Sequence, residues 1–466
     1  MKFFIDQHGC AKNQTDGELM AGYLQENGFE FTQNADDADF ILVNSCGFIN
    51  SAKKESIDAV CSIRKAYPNA KLILTGCLAE RYSKELYDSM PELDGVFGNG
   101  DLSKIAGFMK SVSKERTISV SPQKGVCGGS RPVLFNFPAS AFVKITEGCS
   151  NHCSFCAIPL IRGELRSRTE AEILNEITGL VKDGIYEINL IGQDLAAYGT
   201  DTGTSLAALF AKISKIKGDF VVRPLYIHPD HFTDDIISAI KSDRRFLPYF
   251  DIPFQSGDDD IIRAMNRTGS YRQYASLIAK IRAELPGAVL RTTFLTGFPG
   301  ETDAAAENTA RFLQEISPDW SGCFPYSREE DTPAYDMKPR VPAKTAKARA
   351  AHLEELQTAI TTERLSLYVG QEFSVLVEEI VADQAEGGAE PSEEGLAIGR
   401  AWFQAPEVDG SVVIRFDADD KSALEAVKPG NVVLVKVLAS TGVDLDARFI
   451  RIIRKFNQKN ERKFIF

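Results

Sequence analysis

Short apolar runs alternate with helical segments twice along this chain, and no other feature restricts its fold as strongly. Over residues 1–110 the strand candidates are Lys2–Asp6, Asp39–Asn44 and Lys71–Thr75. Helices fit Asp16–Asn27, Ala52–Tyr67 and Ser83–Met90. Near-continuous apolar strands separated by helices predict an open parallel sheet covered on both faces. The alternation resumes over 141–330, with strands at Ala141–Thr146, Ile188–Gln193, Val221–Ile227, Tyr249–Ile252, Val289–Thr296 and Trp320–Tyr326 and helices such as Thr169–Asp183 and Asp303–Ile316. Six β/α units predict a partial (β/α)6 barrel rather than the full eight.

Outside these stretches the pattern changes. Residues 111–140 mix Ser, Gly and Pro without periodicity and read as a connector. A long Ala- and Leu-rich helix is expected over 343–369. From Gln371 the runs FSVLVEEIV, IGRAWF, SVVIRF and NVVLVKVLAS are separated by the turn signals EVDG and KPG, which predicts a small all-β barrel. The fold class is therefore α/β with three parts, in keeping with about 150 residues per domain over 466 residues. The expected organisation is 1–110, a connector at 111–140, the barrel and its trailing helix at 141–365, the β module at 366–450 and a basic tail at 451–466.

The apolar stretch at the N-terminus is four residues long, too short for a signal-peptide core. No run of 18 apolar residues is present, so no membrane span is expected. A cytoplasmic protein is the default expectation. Nine cysteines are too sparse for a disulfide scaffold, and clustered cysteines in a reducing compartment bind metal or do chemistry.

Cys149, Cys153 and Cys156 are spaced Cys-x3-Cys-x2-Cys in the loop EGCSNHCSFC, just after the strand AFVKIT. Loops after barrel strands line the face where active sites sit. Three thiolates suit a 4Fe–4S cluster with one open iron. Structural zinc would need a fourth ligand, and His152 is wedged inside the same tight loop. Cys10, Cys46 and Cys77 share no local motif, yet each follows a predicted strand: FFIDQHGC, FILVNSC and LILTGC. Carboxyl ends of neighbouring parallel strands converge on one crevice. Three thiols there predict a second cluster, whereas any one alone would read as a small buried hydrophobe. Cys61, Cys127 and Cys323 lack such placement and are expected to be spectators.

The Cys-x3-Cys-x2-Cys loop, with Phe155 before its last cysteine, resembles the radical S-adenosylmethionine (SAM) superfamily. That resemblance implies reductive cleavage of SAM to a 5′-deoxyadenosyl radical. The whole chain resembles the methylthiotransferases through GCAKNQTDGE, NSCGFINSAKKES, FVKITEGCSNHCSFCAIPLIRGELRSR, INLIGQD, DIPFQSGDDDIIRAMNR, TGFPGETD and YSREEDTPA. It implies sulfur insertion into an unactivated C–H bond followed by methylation. Two SAM molecules and two 4Fe–4S clusters would serve, held by Cys149, Cys153 and Cys156 and by Cys10, Cys46 and Cys77. An electron donor such as flavodoxin or ferredoxin is implied as a partner.

The family has two main branches. One modifies a transfer-RNA adenosine. The other, the RimO type, modifies the β-carbon of an aspartate in the twelfth small-subunit ribosomal protein. The C-terminal module, called TRAM in the family, discriminates between them. Residues 366–450 hold 16 acidic and 6 basic side chains. A groove for RNA phosphates should be basic, while an acidic module suits a basic protein. GRAWFQAPEVDGSVVI and IPLIRGELRSR also resemble the RimO branch, so a ribosomal protein, free or on the ribosome, is the expected substrate. That branch usually has Gln-His where this chain has Gln255-Ser256. The alternatives are the transfer-RNA enzyme and a non-catalytic Fe–S or RNA-binding protein.

Weaker candidates follow from position alone. Arg223, Gln193 and Gln255 lie near predicted strand ends, where they would touch SAM or substrate. Gly297 and Gly300 either shape a tight turn or let the backbone approach the cofactor. His8 and His228 are near the expected sites and read equally as hydrogen-bonded structural histidines. The tail 451–466, with 6 basic and 1 acidic residue, reads as a solvated end, with ribosomal RNA contact as the alternative.

Overall fold

The structure is a computed structural model that describes residues 1–123, 125, 128–381, 394–458 and 462–465. Cys127 and most of the acidic stretch AEGGAEPSEEG lie outside the described residues. The N-terminal part is a six-stranded sheet with every pairing parallel. At its centre Lys2–Gln7, Phe40–Ser45 and Lys71–Thr75 lie side by side. The middle strand is buried at every residue, which explains its unbroken apolar run.

The central part has six parallel strands in two groups of three. Ser140–Lys144, Glu187–Ile191 and Val221–Pro224 form the first group; Tyr249–Asp251, Val289–Thr296 and Trp320–Pro325 form the second. A bridge between Val222 and Phe246 joins them into the expected partial barrel. The first strand ends earlier than the sequence suggests. Thr146–Glu147 turns away to pair antiparallel with Arg166–Ser167. That short hairpin closes the loop that carries Cys149, Cys153 and Cys156. Gly148, at φ +71°, has Glu164 O only 2.1 Å from where a Cβ would sit, so glycine is required there.

Helix Ala343–Ser366 leads to a closed five-stranded barrel whose strand order is Glu372–Val381, Glu394–Ala401, Val412–Asp417, Asp444–Arg454 and Val432–Thr441. Its loop 402–409 packs against strands of the central barrel. Trp320 Nε1 donates to Phe403 O (2.9 Å), and Tyr249 Oη donates to Asp409 (2.6 Å). Arg400 pairs with Glu187 (2.7 Å) and Glu378 (2.5 Å), all fully buried.

The tail departs from the sequence reading. Instead of a solvated end, Lys463–Phe464 forms a parallel pair with Val133–Leu134. Arg462 reaches Asp183 (2.7 Å), and Ile465 packs against the N-terminal core. A two-residue strand leaves no periodicity in the sequence, so composition alone misdirects the reading.

The N-terminal part is seated on the barrel by helix α1, Ala11–Glu26, whose residues 11–22 are buried on all sides. Asp16 accepts from Lys144 and from Arg162 (2.9 Å), and Glu147 accepts from the same pair (2.5 and 2.7 Å). Two residues on, Glu18 takes Arg131 (2.5 Å), which also pairs with Glu176. Removing one partner of such a network leaves a buried charge uncompensated, at about 3–5 kcal/mol. Asp16→Ala should therefore lower stability by about 3 kcal/mol, seen as an earlier urea midpoint. An unchanged midpoint would show that the network does not hold the two parts together.

Candidate functional site

The three upstream cysteines sit at the carboxyl ends of adjacent strands. Cys10 caps helix α1, with Gln14 N donating to its carbonyl (3.0 Å). Cys46 follows the middle strand, and its N–H donates to Ser56 Oγ (3.1 Å). Cys77 lies in the first turn of the short helix Gly76–Arg81. Asn13 staples the loops together: its Nδ2 donates to His8 O, Asn44 O and Ser45 O at 2.8, 3.2 and 3.2 Å.

The second trio is fixed by different contacts. Cys149 N donates to Gly163 O (3.0 Å) and Cys156 N to Cys153 O (2.9 Å). Ser154 anchors the loop to the barrel through Met265 O (3.0 Å) and Ala264 O (2.8 Å). All six cysteines line one cavity of about 320 Å³. Apolar Phe48, Phe155, Ile158 and Ile161, the Tyr226 ring, and polar Lys12, Arg162, Gln193, His228, Gln255 and Arg267 also line it. A neighbouring cavity of about 620 Å³ shares Cys149, Asn151 and His228 with it.

The electrostatics separate the thiols. Burial pushes the Cys46, Cys149 and Cys156 thiols up to about 12. Cys77 is raised by burial against the pull of Arg162. Burial alone would raise Cys10, but Lys12 and Arg162 outweigh it and lower it. Arg162 Nη2 lies 3.2 Å from Cys77 Sγ, a buried guanidinium aimed at sulfur. His228 Nε2 lies 3.7 Å from Cys153 Sγ. Burial, then Arg267, holds His228 down to about 4, so the ring is neutral near pH 7. Its Nδ1 accepts Asp230 N–H (3.3 Å), which assigns the ring proton to Nε2, facing the sulfur.

Two thiol trios on one cavity, with donors turned toward sulfur, fit Fe–S ligation. The fourth zinc ligand that the sequence offered, His152, is not at the site. His152 is exposed, lies 3.4 Å from Glu164 and takes no part in the cavity wall.

The weaker candidates divide. Gln193 and Gln255 line the cavity, and Gln255 adopts φ +71°. Arg223 does not touch it. Its side chain is buried against Glu187 (3.0 Å) and donates to Trp402 O (2.8 Å), so it ties down the C-terminal barrel instead of meeting a cofactor. The turn reading holds for Gly297, where a Cβ would lie 2.2 Å from Ala346 Cβ of the long helix. Gly300 also has positive φ, and neither glycine lines the cavity. His8 is held by Asp6 (2.7 Å) and Glu55 (3.3 Å), as a structural histidine would be. Ser256 is buried and its Oγ accepts Asp258 N–H (3.1 Å). Cys61 and Cys323 pack in apolar clusters. Lys12, Tyr226, Arg162 and Arg267 were not singled out by the sequence; for Lys12, Arg162 and Arg267 the signal was their place inside the motif-bearing segments GCAKNQTDGE, IPLIRGELRSR and DIPFQSGDDDIIRAMNR. Among the described residues no helix is long and apolar enough to cross a membrane.

Known proteins show the same three-part organisation. Residues 2–98 match the family described as Uncharacterized protein family UPF0004, residues 143–313 the Radical SAM superfamily, and residues 369–450 the TRAM domain. A Treponema denticola protein named ribosomal protein uS12 methylthiotransferase RimO is 51% identical, covering 95% of this chain and 99% of its own. One of the same name from Natranaerobius thermophilus is 40% identical over 89% and 93%. The chain belongs to the RimO family of radical SAM methylthiotransferases. It is thus an enzyme that works with SAM and a 4Fe–4S cluster. Among solved structures, the radical SAM methyltransferase TsrM from Kitasatospora setae superposes with a TM-score of 0.54, covering 72% of this chain and 73% of that one. At 11% identity that likeness speaks for the fold alone.

The thiol pKa order has a direct consequence. Only the thiolate attacks an alkylating agent. In metal-free protein at pH 8, iodoacetamide should label Cys10 well before Cys46, Cys149 or Cys156, and the latter three should speed up as pH rises toward about 12. Peptide mass spectrometry over time reads the order; equal labelling of all four would contradict it.

Proposed function

We propose that this enzyme inserts sulfur at the β-carbon of an aspartate in ribosomal protein uS12 and methylates it, using two SAM molecules and two 4Fe–4S clusters. The observation that carries the reading is the single cavity lined by six cysteines. Cys149, Cys153 and Cys156 would hold one cluster, and Cys10, Cys46 and Cys77 the other. When bound, these groups supply reductive cleavage of SAM at the first and sulfur methylation at the second. A substrate carbon entering this cavity would be flanked by both cysteine trios.

The chain's own groups bind, orient and shield. Arg162 and His228 place donors against Cys77 and Cys153, which stabilises sulfur carrying negative charge. Phe48, Phe155, Ile158 and Ile161 keep water from a radical site. The buried thiols must lose their protons to ligate, so loading releases protons and is favoured as pH rises. No general base is required, because the C–H bond is broken by hydrogen-atom transfer.

The relatives named for uS12 support the protein substrate, as does the acid-rich C-terminal module. Not all of that acidity faces outward: Glu378 and Asp409 are buried in internal contacts. An electron donor of the flavodoxin or ferredoxin type, encounter with uS12 free or on the ribosome, and a cytoplasmic location complete the proposal.

Reconstituted enzyme should carry about eight irons per chain and methylthiolate uS12 but not transfer RNA, as read by mass spectrometry. Replacing Cys149, Cys153 and Cys156 with Ala should leave about four irons and abolish 5′-deoxyadenosine formation. Replacing Cys10, Cys46 and Cys77 should also leave about four irons, keep 5′-deoxyadenosine formation and abolish the methylthiolated product. Modification of transfer RNA alone would overturn the substrate assignment.

A further inference from the structure

Lys12 is the second residue of helix α1, and its side chain reaches into the six-cysteine cavity. The residue is only 7% exposed, and its Nζ rests 3.1 Å from the centre of the Tyr226 ring. Tyr226 holds the unusual φ of +65°, and its N–H donates to Asp251 (3.1 Å). A backbone strained in this way is one the surroundings over-determine. The ring is thus a fixed platform beneath the ammonium.

The neighbouring buried cations all have partners. Lys144 and Arg162 each pair with both Asp16 and Glu147. Arg267 donates to the carbonyls of Pro253 (2.6 Å) and Phe254 (3.1 Å). Lys12 differs: among the described residues no carboxylate comes within the 4.0 Å of an ion pair, and the charge that acts on it most is that of Cys10, two residues before it. A desolvated ammonium with an aromatic face on one side and a cavity on the other is a receptor for an anion.

We infer that Lys12 binds the side-chain carboxylate of the substrate aspartate and makes the enzyme specific for an acidic residue. This inference rests on the protein-substrate reading above. The reacting β-carbon is bonded directly to that carboxylate, so anchoring the carboxylate on Lys12 fixes the carbon in the cavity between the two cysteine trios. The pairing leaves neither charge buried alone. An asparagine at the same position would give the ammonium no carboxylate to pair with and bind more weakly, a discrimination of the kind polar sites achieve.

The test measures binding of uS12 and of its Asp→Asn variant at the target position to unreduced, cluster-loaded enzyme, with SAM present. Wild type should favour the aspartate form by about a hundredfold. Lys12→Met, which keeps an apolar chain over Tyr226, should bring the two affinities to within a few-fold, whereas Lys12→Arg should preserve the order. Each ratio is internal to one variant, so incomplete loading does not distort it. A wild-type ratio in Lys12→Met overturns the inference. So does a loss of SAM affinity with the ratio unchanged, which would assign the ammonium to the methionyl carboxylate. If wild type binds neither form of uS12, the substrate reading fails and takes this inference with it. If wild type prefers aspartate and Lys12→Met keeps that preference, only the role of Lys12 falls.

Discussion

The buried ionic seat of helix α1 is the constraint on which the rest depends. Asp16 comes from the N-terminal part; Lys144, Glu147 and Arg162 come from the barrel. Two cations and two carboxylates neutralise one another where each alone would cost several kcal/mol to desolvate. That matching leaves little freedom in how the parts dock. Two cysteine trios more than 70 residues apart in sequence therefore face one cavity.

The same network reaches into the chemistry. Arg162 spans the seat and the site: one nitrogen holds Asp16 and Glu147, and the other points at Cys77 sulfur. Docking and sulfur electrostatics are thus coupled through one side chain. Elsewhere on the barrel, Arg400, Glu187 and Arg223 fix the C-terminal barrel by the same principle, and its loop 402–409 packs against the barrel strands. The short terminal strand Lys463–Phe464 then ties the chain end back beside Val133–Leu134. Both flanking domains are locked to the central barrel by buried charge.

Much of this was legible in the sequence, for definite reasons. Parallel strands buried on both faces leave unbroken apolar runs, so Phe40–Ser45 and Val289–Thr296 stand out. A cysteine after such a run lies at a strand's carboxyl end, where neighbours converge, so both trios could be placed without any local motif joining the first. What stayed hidden has equally physical causes. Helix α1 is buried on every side by polar residues, so it has no apolar stripe to announce which side chains face the cavity, and Lys12 went unnoticed. Arg223 lies near a strand end as expected, but its partner Trp402 is 179 residues away, a contact no local pattern reports. His228 gained meaning only once its ring was seen against Cys153.

The central claim is that one cavity brings two iron–sulfur sites together. Diffraction from crystals of the loaded enzyme, collected on both sides of the iron absorption edge, tests it most directly. The account predicts two separate anomalous peaks on facing walls of the cavity, one against Cys10, Cys46 and Cys77 and one against Cys149, Cys153 and Cys156. One peak only, or a second peak outside the cavity, would contradict it.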